Sequence, residues 1–253
     1  MSDRSRLGAC HAFRPRLAAI LLVCGALAGC APSPPEVEHY GVMREVMREG
    51  RTEPRVPLST VVARPHAYGV GAIVELAGEI TIVDGEVWVA SVVDGSLRVT
   101  QKKERISGLA TLLTVSHVER WQSAALPAAA HGPDLEALIE STARSLGIDT
   151  TRPFPIMLEG EAISLELHVI NGYCPHGVDP ATMNAQPWFW SSDRPGPVRL
   201  VGFYAPDAEG VMTHHGSSMH LHALIDDGER TITGHVDRVA VEVGTILRVP
   251  AVR

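Results

Sequence analysis

The chain has 253 residues, 45% hydrophobic and 20% charged, with 22 lysines and arginines against 29 aspartates and glutamates and a net charge of −7. That composition suits one or two folded domains with a sizeable core and excludes disorder, collagen-like repeats and a disulfide mesh. The acidic balance argues against nucleic acid as a partner, because binding phosphates needs a concentrated basic face.

Arg4, Arg6, Arg14 and Arg16 precede an apolar run from Leu17 to Leu27, which closes on Ala28-Gly29-Cys30. A basic start, a short apolar run and small residues at the end describe an export signal, and the run is too short for a comfortable bilayer span. The ending resembles a bacterial lipobox, with cleavage before Cys30 and lipid on its sulfur. Residues 1–29 are therefore expected to be a lipoprotein signal peptide. The rest is expected to be held at the membrane through Cys30, exported to the periplasmic side of the cell envelope. Cys10 and Cys24 leave with the signal, so Cys174 is the one other thiol and an internal disulfide is ruled out. Packing or a metal must then hold the domain together.

Residues 30–57 read as a tether and short helix. Ala31 to Pro35 is Pro-rich and semi-rigid. Val37 to Arg48 places Val42 with Val46 and Met43 with Met47 at helical spacing, and Gly50 stops the helix. Residues 58–253 read as one strand-dominated domain. Asp84-Gly85 and Asp94-Gly95 between apolar runs are hairpin signals and join 73–83, 86–93 and 97–99 into a meander. Pro133-Asp134 opens a helix with Leu135, Leu138, Ile139 and Leu146 on one face, ended by Gly147. Strands follow at 156–158, 163–170, 198–204, 219–225 and 231–243. Trp188-Phe189-Trp190 reads as a surface-packing plug, and Lys102 to Arg105 as a solvated strand end. The fold class expected is α+β, with mixed or antiparallel sheet lobes and a few short helices.

The chemistry lies near the carboxyl end. In Met219 to Ile225, His220, His222 and Leu224 share one strand face while Leu221, Ala223 and Ile225 share the other. Two histidines at i and i+2 therefore project together, roughly 6 to 7 Å apart. The next strand carries Thr231, Thr233 and His235. A two-residue turn at Gly228-Glu229 sets His235 opposite His222, and a four-residue turn sets it opposite His220. Either even-length turn gathers three imidazoles on one face, the donor set of a catalytic zinc-type site with open positions beyond. His214-His215 cannot be a strand pair on one face and reads as loop, at best the mouth of the site. His66, His117, His131, His168 and His176 read as structural. Cys174-Pro175-His176 lacks a third group for nucleophilic chemistry.

A family resemblance emerges from these pieces. His220-Leu221-His222, an acidic turn and Gly234-His235-Val236 resemble the metal-binding hairpin of the α-acetolactate decarboxylase family. Val201-Gly202-Phe203-Tyr204-Ala205-Pro206 resembles a further family strand. So do Gly69-Val70-Gly71, Leu76-Ala77-Gly78-Glu79 with Val83-Asp84-Gly85, and Pro155 to Gly160, all in the family's order. The resemblance implies decarboxylation of 2-acetolactate (2-hydroxy-2-methyl-3-oxobutanoate) to acetoin, with Zn on His220, His222 and His235, other divalent transition metals remaining open. It places the family's hairpin glutamate at Glu79, which on its own reads as a strand residue sharing a face with Thr81 and Val83. In mechanism, the metal stabilises the enediolate left by loss of CO₂, and Glu79 returns a proton to carbon.

Three departures accompany the match. The family's substrate arginine falls on Met157, a second arginine falls on His168, and a C-terminal glutamate falls beyond Arg253. Arg152, Arg194, Arg199 and Arg238 are the candidates to compensate. Two readings are carried: the metal-dependent decarboxylase of a small 2-hydroxy-3-oxo acid, and a cell-envelope metal- or ligand-binding lipoprotein without turnover. Hydrolysis on the same metal is a third use of such a site. A homodimer is compatible with the sequence.

Overall fold

Both Asp-Gly pairs form two-residue hairpin turns. Asp84 and Gly85 have φ of 50° and 80°, and Asp94 and Gly95 have 51° and 72°, so both central residues are left-handed, the geometry that matches strand twist. The computed structural model describes residues 35–102, 107–175, 180–226 and 228–252. The N-terminal basic and apolar segment with Cys30, the tether to Pro34, Lys103 to Arg105, His176 and Asp227 lie outside them. Among the described residues no helix is long and apolar enough to cross a membrane.

The described residues are strand-dominated and form two sheets in which every strand pair is antiparallel. The first contains β1 (Val37–Tyr40), β2 (Val56–Pro57), β3 (Ala67–Ile73), β4 (Glu79–Val83), β5 (Glu86–Val93), β6 (Ser96–Lys102) and β7 (Leu109–His117). Their order is β1-β7-β3-β4-β5-β6, with β2 also beside β7. The second contains β8 (Trp121–Ala125), β9 (Ala130–His131), β10 (Phe154–Val169), β11 (Trp188–Ser192), β12 (Gly196–Tyr204), β13 (Met219–Asp226), β14 (Thr231–Val241) and β15 (Ile246–Pro250). Its order is β8-β15-β10-β12-β13-β14-β9, with β11 along β10.

The 16-residue β10 organises the second sheet. Its first part pairs with β12 and its last part with β14, so β10, β12, β13 and β14 close on one another. Register shifts between Ala162 and Ser164 and between Glu166 and Leu167 bend the strand to do this. The sequence suggests two strands there; the chain runs through Gly160 as one.

Alternation assigns the faces. Ile80, Ile82, Val87 and Leu113 pack with Leu58 and Val61 of the short helix α2 (Leu58–Val61). The opposite face of that sheet presents Tyr68, Val70, Val83 and Trp88, which pack on Met157, Val201 and Phe203 of the second sheet. Leu221, Ala223, Ile225 and Ile232 face away from the first sheet and join Leu135, Ile139 and Ala143 of helix α3 (Gly132–Ser145). The polar faces of β4, β13 and β14 are therefore turned toward each other between the sheets.

Two local expectations are corrected. Residues 37–40 are strand, and helix α1 runs Met43–Glu49. Pairing with β7 overrides the weak helical signal before Gly41, while Gly50 ends the helix in a left-handed conformation as its spacing suggests. Trp188-Phe189-Trp190 belongs to β11, with the two indoles against the core and Phe189 58% exposed.

Candidate metal centre

The hairpin takes the two-residue register. Asp226 lies opposite Thr231 and His222 lies opposite His235. His220, one pleat back on β13, shares their face. One ring nitrogen from each of the three lies within 4.8 Å of the others, and all three side chains are buried. Ring centroids are 5.0 to 5.7 Å apart. Burial drives the protonation of His220 down to about 3 and holds those of His222 and His235 well below the ordinary histidine value. Three neutral imidazoles converge, which is the ligand state a transition metal requires.

Hydrogen bonding fixes which nitrogens are available. The Nδ1 of His220 donates to the Met212 carbonyl at 3.1 Å, which leaves Nε2 with its lone pair. For His222 two threonines decide the tautomer. Thr233 Oγ1 donates to the Ala223 carbonyl at 2.6 Å, so it accepts from Thr81 Oγ1 at 2.9 Å. Thr81 has then spent its proton and accepts from His222 Nδ1 at 3.1 Å. His222 Nε2 is left as a bare acceptor, buried and without a hydrogen-bond partner. A lone pair so placed is costly unless something positive meets it. The three residues can hold a metal ion, and Thr81 and Thr233 are the groups behind one ligand that set its tautomer.

The carboxyl group of Glu79 enters from β4, 3.6 Å from His222 Nε2. It is not an ion pair with that ring: burial keeps the histidine neutral and pushes the Glu79 carboxyl up to about 8, so both partners are uncharged near neutral pH. The positive group nearby is His168, directly opposite His235 on β10 with ring centroids 5.0 Å apart. Burial alone would lower its protonation. Its bond to Asp237 at 2.8 Å, a second to Cys174 and, once Glu79 ionises above about 8, the charge of that carboxylate outweigh this and raise it to about 10.

The model of the alpha-acetolactate decarboxylase family matches residues 39–249. The chain belongs to that family. Its fold is shared with alpha-acetolactate decarboxylase from Bacillus subtilis strain 168, at 18% identity and a TM-score of 0.61 over 85% of this chain and 84% of that one. It is shared likewise with the enzyme of Bacillus subtilis subspecies spizizenii, at 16% identity and a TM-score of 0.60 over 85% of each chain. A Staphylococcus aureus protein of unknown function similar to alpha-acetolactate decarboxylase gives 13% identity and a TM-score of 0.62, covering 84% of each chain. Compared with curated proteins, the chain finds no match.

The structure explains why the decarboxylase family motifs have their form. A Cβ on Gly202 of the Val-Gly-Phe strand would lie 1.9 Å from the His220 carbonyl oxygen, and one on Gly234 would lie 2.5 Å from that of His168. Bare backbone there lets the histidine-bearing strands close on β12 and β10. Met157 packs in the apolar cluster between the sheets. None of the four compensating arginines reaches the site: Arg199 pairs with Glu159 at 2.9 Å, Arg238 with Glu166 at 3.5 Å, Arg152 lines a remote cleft, and Arg194 is exposed beyond β11. His168, read from sequence as structural, lies beside the cluster, its ring 5.0 Å from that of His235. His214 lies in a loop at the mouth, its ring 4.8 Å from that of His235. His66 and His117 bond Asp84 and the Pro65 carbonyl, away from the cluster. His131 lines a separate 510 Å³ cleft beside α3.

Proposed function

We propose that the protein decarboxylates 2-acetolactate, or a closely related 2-hydroxy-3-oxo acid, to the corresponding hydroxyketone, acetoin for acetolactate itself. The observation that carries this reading is the bare, buried Nε2 of His222 within a neutral three-histidine cluster, in a chain of this family. His220, His222 and His235 would hold the ion, with Zn the first choice for three imidazoles. Bound there, the cation supplies Lewis acidity for the charge that develops as CO₂ leaves.

The remaining work falls to the chain's own side chains. Glu79, whose buried carboxyl lies 3.6 Å from His222 Nε2, delivers a proton to carbon as the general acid. His168, held charged by Asp237, adds a fixed positive group where negative charge develops. Thr81 and Thr233 hold the His222 ring in the ligand tautomer. The lipobox-like ending at Cys30 supports a location in the cell envelope on a lipid anchor, and a homodimer is the assembly proposed.

Incubating zinc-loaded protein with 2-acetolactate tests the reading. Acetoin should form well above its spontaneous background and fall to that background in His222→Ala. Stoichiometric zinc with no acetoin above background would overturn it.

A further inference from the structure

The cavity at the histidine cluster itself is about 10 Å³, room for an ion or one water. Outside it lies a second cavity of about 230 Å³. Met43, Met47, Cys174 and His214 line both, so the outer space is the antechamber of the inner one. Methionines are the most adaptable apolar side chains, and two of them form the partition.

Helix α1 makes one wall of the antechamber. It is fixed by burial of Met43 and Val46 and by backbone bonds from Met43 to Val211 and from Arg44 to Gly210. Arg44 and Arg48 line the cavity one turn apart, whereas none of its lining residues is acidic. The acids of α1 are engaged elsewhere: Arg51 takes both Glu45 and Glu49. Among the described residues Arg44 and Arg48 make no ion pair. Like charges at i and i+4 disfavour a helix. In a chain of net charge −7, two uncompensated guanidinium groups on the wall of a cavity that shares lining residues with the cluster call for an anion.

We propose that Arg44 and Arg48 are specificity-determining residues that receive the carboxylate of the incoming 2-hydroxy acid at the entrance to the histidine cluster. This rests on the proposed reading of that cluster as the site of a small hydroxy acid. It also gives helix α1 the charge recognition that Met157, packed in the apolar cluster between the sheets, does not provide. The planar guanidinium matches a carboxylate with two parallel hydrogen bonds.

The test compares binding of 2-hydroxy-2-methylpropanoate and its uncharged amide to zinc-loaded protein by calorimetry. Both arginines are exposed, so the Arg44→Gln/Arg48→Gln variant keeps the fold, which circular dichroism checks. The intact protein should prefer the acid by about tenfold or more. The double glutamine variant should lose that preference, and Arg44→Lys/Arg48→Lys should recover part of it. In turnover the glutamine variant should raise KM far more than it lowers kcat. Equal preference in the variant, or none in the intact protein, overturns the proposal. Failure of the decarboxylase reading shows separately, as absent acetoin with the carboxylate preference intact.

Discussion

Replacing Glu79 by glutamine should make the protein slower and more stable at once. The carboxyl group is buried and its protonation midpoint is raised from 4.5 to about 8. In the window between those values the folded chain keeps a proton that the unfolded chain releases, so stability falls as pH rises through it. At pH 7 the mismatch amounts to about 3 kcal/mol, at roughly 1.4 kcal/mol per pH unit. Glutamine has the shape of the protonated acid and carries no such cost. Metal-free Glu79→Gln should therefore resist urea better than the parent by about 3 kcal/mol at pH 7, while the two converge near pH 4. The metal-free state is the right one to measure, because a bound cation would favour the ionised carboxylate. Turnover of the zinc-loaded variant should fall by about 10²- to 10⁴-fold, the usual contribution of a general acid. A variant less stable than the parent at pH 7, or a difference that ignores pH, would mean that Glu79 is folded as a paired anion. The proton-donor argument would then be wrong.

The other expectations follow from the same geometry. Thr81→Val removes the acceptor of the His222 Nδ1 proton, and metal affinity should fall by about 10- to 100-fold in a chelator competition. Gly202→Ala puts a methyl 1.9 Å from the His220 carbonyl; urea denaturation should show a loss of about 1–3 kcal/mol or more, and metal content should drop with it. The histidines have folded values below their unfolded one, so the stability they contribute is present above about pH 6.5 and is lost as pH falls toward the folded values. In metal-free His222→Asn, the dependence of stability on pH between 6 and 5 should be shallower than in the parent by about 1.4 kcal/mol per pH unit. An unchanged slope would show that His222 is not held neutral.

What the sequence reveals about the site follows physical range. The His220, His222 and His235 face is legible because alternation and an even-length turn decide it locally, within 16 residues. The register itself, His222 against His235, is one of the two that an even-length turn allows. Glu79 and Thr81 could be placed on one strand face, but not opposite β13 and β14, since that depends on how two sheets stack. The position of His168 beside the cluster is not legible, because it comes from β10 bending to pair with β14, a register created by bulges that alternation does not announce. Arg44 and Arg48 are similar: helical spacing shows that they share a face, and only the packed fold shows that the face looks into a cavity. Val37 to Tyr40 became strand because β7 offered an edge, a tertiary preference stronger than local helical spacing.

A single cation shared by the imidazoles of His220, His222 and His235 is the centre of the proposed site. X-ray absorption at the zinc edge, on protein dialysed against zinc and then freed of loose ion, measures this directly. One zinc per chain with three histidine nitrogens in its shell, lost on His222→Ala, is the predicted result. Zinc bound without histidine ligation, or retained in full when His222 is removed, would contradict it.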